Sequence, residues 1–232
     1  MSPPRVSRRL RSLTGLAVAS ALLLTGCGSV PGFNPGVAAR VGDHTVTVDQ
    51  VDDVAESYCG AAEGQLQGKA LANHYLRGQV AGSLALRSAA DQLLDQYGVQ
   101  ADPLYDQAVA RAEKSLTDLS ADQRDALIEV QGAPTYVNAA EVSIGREVLA
   151  AKGRSGASDD EASAAGKKAM LAWIDDHDVR LDPRFGVALT QGQVTPTDTS
   201  VSYALSDTSK KADASQPDSG YAAALPETHR CG

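Results

Sequence analysis

The chain has 232 residues, with 29 Asp and Glu against 21 Lys and Arg, for a formal charge of −8 at neutral pH. That length suits one domain with appendages. The acidic balance excludes the clustered basic face that nucleic acid or an anionic lipid surface would require. Without the first 26 residues, which hold four arginines and no acid, the charge becomes −12 over the remaining 206 residues and the exclusion sharpens.

Those first residues read as a leader rather than as fold. Arg5, Arg8, Arg9 and Arg11 precede an apolar run from Leu13 to Leu24, too short to cross a bilayer, and Leu24-Thr25-Gly26-Cys27 follows. Residues 1–26 are therefore expected to be a signal peptide. The Leu-Thr-Gly-Cys ending looks like a bacterial lipobox, which implies cleavage before Cys27 and a diacylglyceryl group on its sulfur; an ordinary signal peptide with an incidental cysteine is the alternative. Ser7-Arg8-Arg9 fits twin-arginine export, although a basic leader alone explains the pair. Attachment to the outer face of the cell membrane would then come from the lipid. Gly28, Pro31, Gly32, Pro35 and Gly36 mark residues 27–36 as a flexible tether.

Val37 to Val41 is a short β-branched run, Gly42-Asp43 a turn signal, and His44 to Val46 a second extended run. Thr47 with Gln50 has capping-box spacing, and Val48, Val51, Val54 and Ala55 form the apolar stripe of the helix it opens. A ribbon this short is marginal in water and needs a further strand or a helical layer. Helical spacing of Leu76, Val80, Leu84, Leu86, Ala90, Leu93, Leu94 and Tyr97 predicts one long helix from Gln65 to Gln96, stopped by Gly98. Gly78 and Gly82 each cost about 1 kcal/mol against alanine inside a helix. A bend or a close helix crossing is expected there.

Asp102-Pro103 opens the next helix, with Tyr105, Val109, Ala112 and Leu116 on its apolar face. Ser120 and Gln123 repeat the capping box for a helix through Val130, which Gly132-Ala133-Pro134 breaks. Residues 135–151 carry Val137, Ala140, Ile144 and Val148 along one face. After a loop at 153–158, Ser158 with Glu161 caps a last long helix to about His177, with Ala162, Ala165, Ala169 and Trp173 inward and Met170 and Ile174 beside them. So much alanine predicts close helix packing.

Directly after it comes Asp178-Val179-Arg180-Leu181-Asp182-Pro183-Arg184-Phe185-Gly186, whose Val179, Leu181 and Phe185 are apolar and which is the best candidate for the missing strand. This segment, with Val41-Gly42-Asp43-His44-Thr45-Val46-Thr47 at the other end of a helical excursion, resembles the peptide-binding core of SurA-type periplasmic chaperones and PrsA-type foldase lipoproteins. There an early V-x-G-x-x-(I/V)-T ribbon is joined to a closing V-x-(L/V)-(D/N)-P-R-(F/Y)-G strand. The resemblance covers residues 37–186. It implies a mainly α, SurA N-terminal-like helical domain with a small two- or three-stranded sheet joining its N- and C-terminal segments. Residues 187–232 read as a low-complexity tail, in which Val201, Tyr203 and Leu205 alternate as one strand candidate.

With Cys27 lipidated, Cys59 and Cys231 remain as an even pair in an exported chain, and a disulfide between them is expected to tie the tail back. Closing so long a loop contributes on the order of 4 kcal/mol through the unfolded state. Two unrelated thiols are the alternative.

The search for chemistry returns little. No GxSxG, P-loop, CxxC or HExxH occurs, and no serine stands three residues before a lysine. Asp175, Asp176, His177 and Asp178 are consecutive and so face different directions, which favours a solvated helix end over a metal site. His44, His74 and His229 have no ligand spacing, and no cofactor or metal is expected. The resemblance implies a cradle for unfolded or extended segments of exported client proteins. In that family prolyl isomerisation belongs to separate parvulin domains, for which the 46 residues after Gly186 are too few, so no enzyme is expected. Tyr75, Tyr97, Tyr105, Tyr136 and Trp173 are the aromatic candidates for a client groove, each with burial in the core as its competing role. Two readings follow: a lipid-anchored chaperone or foldase-like protein of actinobacterial type, or an accessory envelope lipoprotein holding one defined protein partner.

Overall fold

The structure, a computed structural model, describes residues 35–197, 204–212, 214 and 217–232. The expected signal peptide, the lipid site at Cys27, the tether as far as Asn34, and Val201 and Tyr203 of the candidate strand lie outside the described residues.

Strands β1 (Val37–Val41) and β2 (His44–Thr47) form the expected ribbon, in the register Val41↔His44, Arg40↔Thr45, Ala39↔Val46. Its tight turn needs a left-handed residue, which Gly42 supplies at φ 54°. Gln92 clamps that turn to the helical layer: its Nε2 donates to the Val41 carbonyl at 2.8 Å and its Oε1 accepts from the Asp43 N–H at 3.2 Å. Thr47 Oγ1 accepts from the Gln50 N–H at 3.1 Å, one half of the predicted box, and opens α1 (Val48–Leu66).

The long helix predicted from Gln65 begins eight residues later. Gln67 and Gly68 both adopt positive φ, 52° and 78°, which reverses the chain, and a two-residue strand β3 (Leu71–Ala72) intervenes before α2 (Asn73–Tyr97). Helix α2 is the centre of the molecule, burying Leu76, Val80, Leu84, Leu86, Leu93 and Leu94 among four alanines and ending in the left-handed Gly98 cap as expected. Helix α3 (Leu104–Ser115) starts on Asp102, whose Oδ1 accepts the Leu104 N–H at 3.0 Å. Helices α4 (Ala121–Gln131) and α6 (Asp159–Asp176) both carry complete reciprocal capping boxes, at Ser120/Gln123 and Ser158/Glu161. Between them, α5 (Ala133–Ala150) begins two residues ahead of the predicted start because Pro134 fits the first helical turn.

Helices α5 and α6 touch backbone to backbone. A Cβ on Gly145 would sit 1.7 Å from the Ala162 carbonyl oxygen, and one on Gly166 would sit 1.8 Å from that of Glu141. Only glycine permits that approach, and the alanines beside it follow the same logic. Arg146 of α5 then bridges Asp102 at 2.5 Å and Asp159 at 2.8 Å, fastening the starts of α3 and α6 to one guanidinium.

The chain returns to its beginning through β4 (Arg180–Leu181), paired with β1 as Ala39↔Leu181 and Arg40↔Arg180, and the Asp182 N–H adds a bond to the Ala38 carbonyl at 2.8 Å. The order β2-β1-β4 is the three-stranded antiparallel sheet expected to join the two ends of the helical excursion. The architecture is thus mainly helical, with small antiparallel sheets.

Order does not stop at Gly186. After the 3-10 turn at Pro183–Phe185, β5 (Val187–Thr190) and β6 (Gln193–Pro196) make a hairpin around Gln191-Gly192, both with positive φ as a type I′ turn requires. This segment explains Gly78 and Gly82. Helix α2 runs through both, and the crossing chain is not a helix: a Cβ on Gly78 would lie 2.4 Å from the Phe185 carbonyl, and one on Gly82 would lie 2.3 Å from Val194. Leu205, expected to alternate in a strand, lies in none and is 89% exposed. Two short helices follow, α7 (Asp207–Ala212) and α8 (Ser219–Ala223). Strand β7 (Arg230–Cys231) then pairs antiparallel with β3, Cys59 and Cys231 form the expected disulfide with Cα atoms 5.6 Å apart, and Ala222 packs on Ala70 and Ala72. No helix among the described residues is long and apolar enough to cross a membrane.

Candidate functional site

The cavity with the most unsatisfied chemistry lies against α2, between the α4–α5 corner, α6 and the β5–β6 hairpin, with a volume of about 650 Å³. Helix geometry builds two of its walls. Gln79, Ser83 and Leu86 recur at helical spacing on α2, and Pro134, Val137, Asn138 and Glu141 do so on α5. Val194 of the hairpin closes the third side because Gly82 lets it come so near.

Several polar groups in this cavity are spoken for. Ser83 Oγ donates to the Val130 carbonyl at 3.4 Å, Gln131 Nε2 to the Tyr58 hydroxyl at 3.1 Å, and Asn138 Nδ2 to Ser163 Oγ at 3.2 Å. Glu141 is different. Its side chain belongs to a residue only 8% exposed, and among the described residues no hydrogen bond or ion pair holds its carboxylate. Burial pushes the carboxyl above its ordinary pKa, while the charge of Lys167, an exposed residue of α6 at the cavity rim, pulls the other way. The amides of Gln79 and Gln193 also line the space without side-chain partners among the described residues.

A larger concavity, about 1060 Å³, runs between α1, the starts of α2 and α4, and the C-terminal segment. It is polar and its groups are largely paired. Arg77 bridges Asp52 at 2.6 Å, and Asn73 Nδ2 donates to the Thr228 carbonyl at 3.1 Å. A third, about 540 Å³, sits beside the ribbon over Arg87, Asp91 and Glu129. Here Arg87 donates to the Tyr105 hydroxyl at 2.9 Å and lies 4.3 Å from the Tyr136 ring centroid, while the Tyr136 hydroxyl donates to Asp91. Desolvation first, and the Asp91 bond second, push the Tyr136 phenol well above its ordinary pKa; desolvation does the same to Glu129 against the pull of Arg87. Arg87, Tyr105, Tyr136 and Asp91 form a bonded network that ties α2, α3 and α5 together, with the Glu129 carboxylate beside it making no hydrogen bond or ion pair among the described residues.

The five aromatic candidates do not share a groove. Tyr105 is buried and meets the half-buried Tyr136 edge to face at 4.9 Å. Trp173 is buried and stacks on His177 at 4.2 Å. Tyr75 is half-buried on α2, and Tyr97 stands 36% exposed at the far end of the same helix. Burial claims Tyr105 and Trp173 because their helices need large side chains at those crossings, and the rest are spread over different faces. His177, one of the four consecutive polar residues tested for metal, bonds through Nδ1 to the Trp173 carbonyl at 2.9 Å; among the described residues no three acidic, His or Cys side chains are grouped to hold an ion.

Glu141 escaped the sequence reading although a signal existed. Val137, Glu141, Ile144 and Val148 follow one helical stripe, so a carboxylate stood in the middle of an inward-facing row.

Comparison with protein-family models, with curated proteins and with solved structures returned no match for this chain.

Proposed function

We propose that this protein is a lipid-anchored extracytoplasmic chaperone or foldase-like protein, without an enzymatic reaction, that holds an extended segment of an exported protein in the cavity between α2, α5, α6 and the β5–β6 hairpin. The observation that carries the reading is the pairing of β4 with β1. It sets the Asp182-Pro183-Arg184-Phe185-Gly186 turn beside the ribbon carrying Val41 to Thr47, the arrangement that the SurA and PrsA resemblance implies. The cavity supports it further, since its apolar walls and unpartnered amides suit a backbone that arrives with its own hydrogen-bonding groups unsatisfied.

One observation favours the second reading, an accessory envelope lipoprotein with a single defined partner. The exposed large apolar side chains among the described residues are few: Tyr97 at the end of α2, Leu104 at the start of α3, and Leu205 outside any helix or strand. A general holder of unfolded chains gains from a continuous apolar patch, whereas a partner recognised by one cavity does not need it.

The experiment is a pair of assays on the purified protein. Aggregation of an unfolded exported protein should be suppressed at stoichiometric concentrations, and prolyl isomerisation in a short peptide, which takes tens of seconds or more unaided, should not accelerate. Acceleration that scales with protein concentration would end the non-enzymatic reading. If neither activity is seen and one envelope protein is captured tightly, the accessory role replaces the chaperone. Cys27→Ser tests the anchor separately: release from membranes, or an uncleaved precursor, is expected, and an unmodified Cys27 in soluble wild-type protein would refute it.

A further inference from the structure

Glu141 is only 8% exposed, its carboxylate makes no hydrogen bond or ion pair among the described residues, and it lines a space large enough for a ligand. A carboxylate on a largely buried residue is costly even where its oxygens keep contact with the cavity, and the cost falls when a cation or a set of N–H donors arrives beside it. We propose that this cavity is a receptor for a basic side chain, lysine or arginine, of an extended protein segment, with the Glu141 carboxylate as its counter-ion. The proposal rests on the segment-binding reading above and adds the chemistry of one position in that segment.

Four features of the molecule select this ligand. The walls beside Glu141 are Leu86, Val137 and Val194, apolar surface that suits the methylene stem of a long basic side chain while its charged end reaches the carboxylate. The volume of about 650 Å³ lies within the range of small-ligand cavities and exceeds what one side chain fills, leaving room for the flanking backbone at Gln79 and Gln193. Lys167 is near enough to act on the carboxyl electrostatically but makes no ion pair with it, and its exposed position lets the ammonium swing to water when another cation enters. Finally, a charge of −12 over residues 27–232 draws basic segments toward the molecule and repels acidic ones. A metal ion is the poorer occupant, because hard cations require several oxygen ligands and the cavity offers a single carboxylate beside an ammonium.

Fluorescence anisotropy on the purified full chain tests this with two labelled, unstructured twelve-residue peptides of alanine and valine. One carries a central lysine and the other norleucine at the same place. The wild-type protein is expected to bind the lysine peptide at least ten-fold more tightly. Glu141→Gln, which keeps the side chain's shape, should bring that ratio to about one with little change for the norleucine peptide. Lys167→Gln, at an exposed position that folding does not depend on, should tighten the lysine peptide by removing the competing ammonium. Equal binding of both peptides by the wild type overturns the receptor while leaving segment binding in place. A lysine preference that survives Glu141→Gln, or that weakens in Lys167→Gln, overturns the assignment of the counter-ion. Binding of neither peptide removes the segment-binding reading and this one with it.

Discussion

The end of the chain closes on its beginning twice, and the two closures are built differently. At the first, β4 lies along β1 over a floor of Ala38, Ala39, Val41, Val46 and Leu93, all buried, with the Asp182 bond extending the ladder. At the second, β7 meets β3 over two residues: Cys231 is buried at the edge of the main core beside Leu66 and Leu71, a small cluster of Ala70, Ala72 and Ala222 with Tyr221 and Leu225 lies next to it, and a covalent bond joins Cys59 to Cys231. Two-residue strands gain little by themselves. The first closure is held by burial alone, and the second by a thinner burial around Cys231 reinforced by a disulfide. A fold that cannot bury enough at one place can restrict its unfolded chain instead.

Reduction should separate the two most sharply. Loss of the disulfide is expected to lower global stability by on the order of 4 kcal/mol through the freed 172-residue separation. Limited proteolysis and amide exchange should show residues 217–232 released first while amides of β1 and β4 stay protected. Equal loss of protection at both sheets would mean that they form one cooperative unit. The protein isolated under oxidising conditions should also show no free thiol at Cys59 or Cys231.

Gly78→Leu attacks the first closure and leaves the disulfide intact. Its side chain would meet the Phe185 carbonyl and Val187, so the returning segment must lift from α2. Overpacking of this kind costs about 1–3 kcal/mol, read as a lower denaturant midpoint; a midpoint equal to wild type would show that the segment yields freely. Reduction of this variant should then cost more than reduction of the wild type, because neither closure remains sound.

The smallest expected effect concerns the cavity, which depends on neither closure covalently. The folded pKa of Glu141 is raised above its ordinary 4.5 by burial. Above 4.5 the unfolded chain has released its proton while the folded chain still holds it, so stability falls as pH rises through that window. Glu141→Gln should remove the slope and leave the protein more stable at pH 7 by on the order of 1 kcal/mol, the lower end of the cost of an unpaired buried polar group. A thermal midpoint below wild type at pH 7, with none of the expected flattening, would show that the carboxylate has a partner in solution.

Legibility in the sequence followed the range of the forces involved. Caps are local, so Ser120 with Gln123, Ser158 with Glu161 and Gly98 were readable directly, and the β1–β2 turn followed from Gly42-Asp43. The partner of that ribbon was readable because Val179, Leu181 and the Asp-Pro-Arg-Phe-Gly turn make an unusual run. The β5–β6 hairpin was not. Gln191 in a left-handed conformation is disfavoured in isolation, and what stabilises it is Val194 lying over Gly82, a contact across more than a hundred residues. The start of α2 was missed for a related reason: Gln67-Gly68 turns the chain, but helical spacing alone continues through it. Periodicity gives the face of a helix and not what covers that face, so Tyr105 and Trp173 took the core role that competed with a client groove, while Glu141 lines the cavity.

The pairing of Arg40 with Arg180 also sets a clock. A chain synthesised from its N-terminus at about 5–20 residues per second leaves β1 without its second neighbour for on the order of ten seconds. During that interval its outer edge presents unpaired N–H and C=O groups, as any edge strand does. The antiparallel bond to β2 covers one side early, and the other stays open until Leu181 arrives. Contacts this distant in sequence form late and slowly. The nascent ribbon is therefore the stretch that another extended strand would capture most readily, and a folding factor acting on this chain would find its opening there.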